Sequence, residues 1–334
     1  MENETKNMKP IFIDNAEQRM LSSTNFNFAL DKSSGISACW GEDINDSPEY
    51  DPYSPEEISL VIDENFELEK YLKIFNFFAN VHKKISDTEF EVIDDILSVL
   101  TETNLIALST LGHVNIILNT FENIKINDIL TFTNYIKNKF SIPVLIQLNT
   151  DKEISYDELN KLKMLGNSIQ LKTSNKFNFN TFSKNIKLLK DNQFSVSIKM
   201  IVTDDTYTEI FENVDKFDNE IPVKLYFIAP YISVKKYKSI QTKFLEASKN
   251  VYISTCAFDK FNSKKNNIYV NPCDCDATRF SLYIEDDKVY PCEFNKSVGI
   301  NVFDSNSLFK LWNAPEINII RKYIIKNNHC KTKK

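Results

Sequence analysis

Four of the six cysteines fall after residue 270: Cys273, Cys275, Cys292 and Cys330. Four thiolates are the number that closes a structural zinc site or holds an iron–sulfur cluster. The count does not choose between the two metals, although the paired CxxC knuckles of a zinc ribbon are absent. The segments RFSLYI and KVYPC read as a hairpin around Glu285-Asp286-Asp287, which brings Cys275 toward Cys292. A helix from Pro315 to Lys326 then returns the chain to deliver Cys330. Cys39 and Cys256 stand alone and read as core residues. Asp274, Asp276 and Glu285 to Asp287 are of the type that binds a hard cation, but an acidic turn in solvent is the plainer reading.

Other chemistries find little support. The chain has five glycines, Gly35, Gly41, Gly112, Gly166 and Gly299, and none forms a GxG pair. Phosphate-cradling loops need glycine so that backbone N–H groups can approach the ligand, so neither a Walker loop nor a dinucleotide fingerprint is present. Only His82, His113 and His329 are available as a base, and no nucleophile-elbow motif accompanies them.

The elements that must position these cysteines alternate in type. Strands are expected at 58–63, 114–118, 142–148, 168–173, 194–202 and 223–229. Helices are expected at 67–84, 88–104, from the Asn127-Asp128 cap to 138, from the Ser155 cap with Glu158 in a capping box, at 181–191 and at 206–217. Short strands joined by helices demand a parallel sheet with right-handed crossovers. A partial (β/α)6-type barrel and a doubly wound sheet both fit this α/β rhythm.

Three parts are expected. Residues 1–55 read as an irregular N-terminal extension ending in a linker with Pro48, Pro52 and Pro55. Residues 56–240 form the α/β body, and 241–334 form a small cysteine-bearing domain that also holds a strand at 251–255. Over 334 residues, 42% apolar content with 25 Phe and 14 Tyr is enough to bury large cores. The net charge of −6 and the lack of a long basic block disfavour a nucleic-acid partner. No secretory signal and no run of about 18 apolar residues appears, so a cytoplasmic protein that does not cross a membrane is expected.

The C-terminal pattern resembles the SPASM and twitch domains of radical S-adenosylmethionine (SAM) proteins. Cys275 matches the first cysteine, and Val289-Tyr290-Pro291-Cys292 matches the family's G-x-V-x-PC, with Asp287 where the family has glycine. Leu311-Trp312-Asn313 and Arg321 are similar to the family's "eiWn…R" stretch, and Cys330 matches the next cysteine. The later family cysteines are missing, and Lys333 stands where a CxxC partner would be. The resemblance implies at most one [4Fe–4S] cluster, on Cys273, Cys275, Cys292 and Cys330, with zinc as the alternative.

The resemblance extends over 58–330, but the radical site is gone. In the family the first strand leads into CxxxCxxC, whose thiolates hold the cluster that cleaves SAM. LEKYLKIFNFF is similar to that stretch, yet Lys70, Ile74 and Phe77 occupy the cysteine positions. The GGEP-like motif after the second strand survives only as Glu122. SAM binding and SAM cleavage are therefore not expected, and residues 67–82 read as an amphipathic helix with Tyr71, Ile74, Phe75 and Phe78 inward. The resemblance implies a protein of ribosomal-peptide maturation that binds a precursor peptide or a partner enzyme such as an ATP-grasp ligase. A zinc-stabilised scaffold and a non-radical enzyme on the same body are the alternatives.

Overall fold

The computed structural model describes residues 11–14, 18–22, 27–31, 36–40, 57–73, 75, 113–140, 143–174, 177–228, 232–247, 251–256, 277–278, 281–304, 311–312 and 314–327. The chain is an α/β protein built on one large, mostly parallel sheet. Its strands are β5 (Glu57–Ile62), β6 (His113–Leu118), β7 (Val144–Asn149), β8 (Ser168–Lys172), β9 (Ser195–Val202), β10 (Val223–Ile228) and β11 (Val251–Cys256), followed by β12 (Ser281–Glu285), β13 (Lys288–Tyr290) and β14 (Ile300–Asn301). The order across the sheet is β11-β10-β9-β8-β7-β6-β5-β12-β13-β14. All pairs from β11 through β12 are parallel, and β13 and β14 turn back antiparallel.

From β5 to β11 each strand lies beside the next in sequence. Over these seven strands the chain winds in one direction, and it then returns to lay β12 parallel to β5 on the side opposite β6. Right-handed crossovers in a single direction place the connecting helices on one face. The strands are patterned accordingly. On one face lie Ile58, Leu60, Ile62, Val114, Ile116, Leu118, Ile146, Leu148, Ile169, Leu171, Ile198, Met200 and Leu225, all buried. The alternate positions, which form the inner face, carry the buried polar side chains of these strands.

The helices follow their local signals. They are α1 (beginning at residues 68–73), α2 (Ile126–Phe140), α3 (Tyr156–Leu165), α4 (Phe179–Asp191), α5 (Asp204–Asn213), α6 (Val234–Glu246) and α7 (Pro315–Asn327). Ser155 and Glu158 form the expected capping box of α3. Three starts differ from the sequence reading by one or two residues. Helix α2 begins at Ile126, so Asn127 lies inside it. Asn178 caps α4, and Thr203 caps α5. Helix α6 was not expected, although Ile240 and Phe244, four residues apart, bury one face of it. The helix expected at 88–104 lies outside the described residues. No helix among the described residues is long and apolar enough to cross a membrane.

Two segments differ from expectation. Strands β1 (Ile11–Asp14), β2 (Gln18–Ser22), β3 (Asn27–Asp31) and β4 (Ile36–Trp40) form an antiparallel meander within the stretch read as irregular. Each strand has only four or five residues, too few for a two-residue alternation to stand out among polar neighbours. Strand β11 pairs with β10 in the large sheet, and β12 pairs with β5 in that same sheet.

The β12–β13 hairpin forms as the sequence predicts. Asp286 (φ 49°) and Asp287 (φ 55°) both take the left-handed conformation that a two-residue hairpin turn of this hand requires. Helix α7 is anchored through Arg321, which is buried, to Thr278 in the segment before β12. Arg321 donates from Nε to the Thr278 carbonyl at 2.5 Å and from a terminal nitrogen to the Trp312 carbonyl at 2.7 Å. Its guanidinium lies 4.2 Å from the centroid of the buried Trp312 ring. Arg321→Met is expected to cost on the order of 3 kcal/mol by leaving two carbonyls unpaired. Arg321→Lys is expected to recover little of it, because an ammonium lacks the planar fork. Urea unfolding midpoints of the two variants measure both effects.

Candidate functional site

Strand register assembles the inner face row by row. Gln147, Gln170 and Ser197 are cross-strand neighbours on β7, β8 and β9. Two residues further on, Asn149, Lys172, Lys199 and Lys224 form the next row across β7 to β10. Gln147, Gln170, Ser197, Lys199 and Lys224 are all buried. Two lysines side by side in a sheet interior repel each other and lose hydration, so an anion must accompany them.

The C-terminal segment supplies that anion. After β13 the chain makes a short turn closed by a bridge between Cys292 and Asn295. Glu293 projects from it onto the inner face. Lys172 Nζ donates to Glu293 Oε2 at 2.5 Å. Lys199 Nζ lies 2.6 Å from Oε1, as an ion pair rather than an aligned hydrogen bond. The Glu293 side chain is only 7% exposed. Burial by itself would raise its carboxyl pKa; Lys199 and then Lys172 outweigh burial and hold it down to about 2. Burial likewise works to lower the Lys199 pKa, and the Glu293 carboxylate overrides it and raises it above the usual lysine value. Phe294, next in the turn, lies 6.2 Å from the Tyr226 ring, and Tyr226 in turn sits 5.1 Å from Lys199 Nζ and 5.3 Å from Lys224 Nζ.

Toward the strand beginnings a second polar group fills the face. Asn115 Nδ2 donates to Glu57 Oε1 at 2.8 Å and to Ser59 Oγ at 3.2 Å, while His113 Nε2 lies 3.5 Å from Glu57 Oε2. Between the two groups lies Gln147. It is 0% exposed, and neither atom of its amide has a hydrogen-bond partner.

The expected radical-SAM positions sit at the other end of β5. Lys70 pairs with Glu67 and lies over the Phe303 ring at 5.1 Å. Ile74 and Phe77 lie outside the described residues. Tyr71 and Phe75 are buried as expected. Phe75 packs edge-on to Phe132, and the Tyr71 hydroxyl donates to Asp287 Oδ1 at 2.9 Å. Burial, then the Asp287 charge, raises the Tyr71 pKa, so its hydroxyl remains a donor. A cleft of about 260 Å³ opens here, lined by Val61, Asp63, Asn65, Phe66, Tyr71, Asp286 and Asp287. Glu122 is exposed in the loop after β6.

Of the four expected metal ligands, Cys273, Cys275 and Cys330 lie outside the described residues. Cys292 is half-buried and packs with Ala277 and Ile320. Ala277 is two residues beyond Cys275, and Ile320 is on the helix that leads to Cys330. Thiolate donors as a type suit an iron–sulfur cluster or zinc. Among the described residues no three His, Cys, Asp or Glu side chains are grouped to hold a metal.

Sequence reasoning missed Lys172, Lys199, Glu293 and Gln147. A faint signal existed: SIQLK and SIKMIV place lysine at alternate positions of otherwise buried strands. No family model matches the chain, and no characterised protein matches it at a significant level.

Because the folded carboxyl of Glu293 lies at about 2 and its ordinary value is 4.5, its ionic contribution is complete above pH 4.5. That contribution is lost as pH falls from 4.5 toward 2. Glu293→Gln is expected to destabilise the protein by about 3 kcal/mol at pH 7, the cost of breaking a buried ion pair. Denaturant unfolding from pH 7 to pH 3 should show the gap between wild type and variant closing only below pH 4.5.

Proposed function

We propose that this chain is a non-radical relative of the SPASM peptide maturases, built on a partial (β/α)6-type barrel. In this reading it binds a precursor peptide, or presents it to a modifying enzyme such as an ATP-grasp ligase, in ribosomal-peptide maturation. Cys273, Cys275, Cys292 and Cys330 hold one [4Fe–4S] cluster that stabilises the C-terminal segment. The chain does not cleave SAM.

One observation carries the reading. The turn that bears Cys292 also bears Glu293, and it reaches onto the polar inner face of the large sheet. This couples the cysteine segment to the face that a ligand would use. The unidirectional order of β5 to β11 supports a barrel-like body, and the buried row of amides and lysines supports binding of a polar, peptide-like ligand. Loss of radical chemistry rests on Lys70, Ile74 and Phe77 at the cysteine positions, since neither an ammonium nor a hydrocarbon binds iron.

Anaerobic purification followed by iron, acid-labile sulfide and zinc analysis tests the proposal. The expected result is a brown protein with about four iron and four sulfide per chain, lost in Cys292→Ala. With dithionite and SAM the wild type should release no 5′-deoxyadenosine. Zinc without sulfide, or reductant-dependent SAM cleavage, would overturn it.

A further inference from the structure

Gln147 is the unexplained group of the inner face. A buried carboxamide carries a donor and an acceptor, and leaving both unpaired costs about 1–3 kcal/mol each. Here both are unpaired in a side chain with no exposure. The complementary partner is a group that both donates and accepts, and a peptide amide is the simplest one. Gln147 lies two residues before Asn149, which pairs with Lys172, so it shares a face with the lysines at a separation of about 7 Å along the strand. A peptide's acidic side chain and a neighbouring backbone amide span a comparable distance.

The occupant of the lysine pair has the same chemistry. Glu293 stands at the tip of a short turn, with Phe294 against Tyr226 beside it. It offers Lys172 and Lys199 the carboxylate of an acidic residue held within a peptide turn. We propose that Lys172 and Lys199 are a carboxylate site for an acidic residue of the bound peptide, that Gln147 takes an adjoining peptide amide, and that the turn carrying Glu293 occupies the site in cis until a ligand displaces it. This rests on the peptide-binding reading above and names the part of the peptide recognised.

Tethering gives Glu293 a high effective concentration, so a ligand binds the wild type more weakly than a chain whose site has been vacated. The probes are two capped hexapeptides, Tyr-Pro-Ser-Glu-Phe-Asn and Tyr-Pro-Ser-Gln-Phe-Asn, which copy residues 290–295 with serine replacing the cysteine. Full-length Glu293→Ala is expected to bind the glutamate peptide at least about tenfold more tightly than the glutamine peptide, and more tightly than wild type does. Adding Lys199→Met should abolish the discrimination. Adding Gln147→Leu should weaken both peptides while raising the unfolding temperature, since two unpaired polar atoms leave the interior; a purely structural glutamine would not lower binding. Equal affinity for the two peptides, or no binding by the folded variant, overturns the proposal. If Glu293→Ala does not fold, Glu293→Gln takes its place under the same criteria. A discriminating protein that holds zinc would overturn the maturase reading and leave this site standing. A cluster-bearing protein that does not discriminate would overturn this site alone.

Discussion

Ammonium groups inside a sheet are tolerated only with a carboxylate at hand, and in this protein that requirement joins the C-terminal turn to the middle of the sheet. Lys172 and Lys199 are neighbours on β8 and β9, in the middle of the large sheet. Glu293 comes from beyond β13, at the opposite flank of the sheet. The ion cluster therefore ties the C-terminal turn to the sheet center across strands that never pair with β13. Desolvation makes each partner costly alone and the set stable together, which is why the Glu293 carboxyl is held so low.

The same sheet has two faces with different chemistry. The face toward the helices is Ile, Leu, Val and Met, and it supplies the main core. The inner face carries amides, hydroxyls, lysines and the His113–Glu57 pair. A polar interior is expensive unless it is satisfied, and most of it is satisfied here by cross-strand hydrogen bonds or by the Glu293 turn. Such a face is a poor way to gain stability and a good way to hold a polar ligand.

At the far end of β5 the residues after the strand are held by aromatic packing. Tyr71 stacks on Phe66 and donates to Asp287 of the hairpin turn. Phe75 fills the space against Phe132. An aromatic cluster thus joins α1 to α2, and Tyr71 links it to the β12–β13 hairpin, in the region where the resemblance would place metal chemistry.

Local signals in the sequence determined the α/β alternation, most strand positions, the capping box at Ser155 and Glu158, and the hairpin at Asp286-Asp287, because each depends on residues close together in the chain. They did not reveal β1–β4, whose strands are too short to show a period, or the true caps Asn178 and Thr203. The choice between singly and doubly wound sheets was open in the sequence, since strand order is a property of pairing and periodicity carries no record of it. The polar row and its ion cluster were equally hidden: Lys172, Lys199 and Glu293 are separated by 27 and 94 positions and meet only through register and the path of the turn. Tertiary structure decided which face each lysine occupies and which carboxylate reaches it, because burial, not sequence spacing, makes those charges need each other.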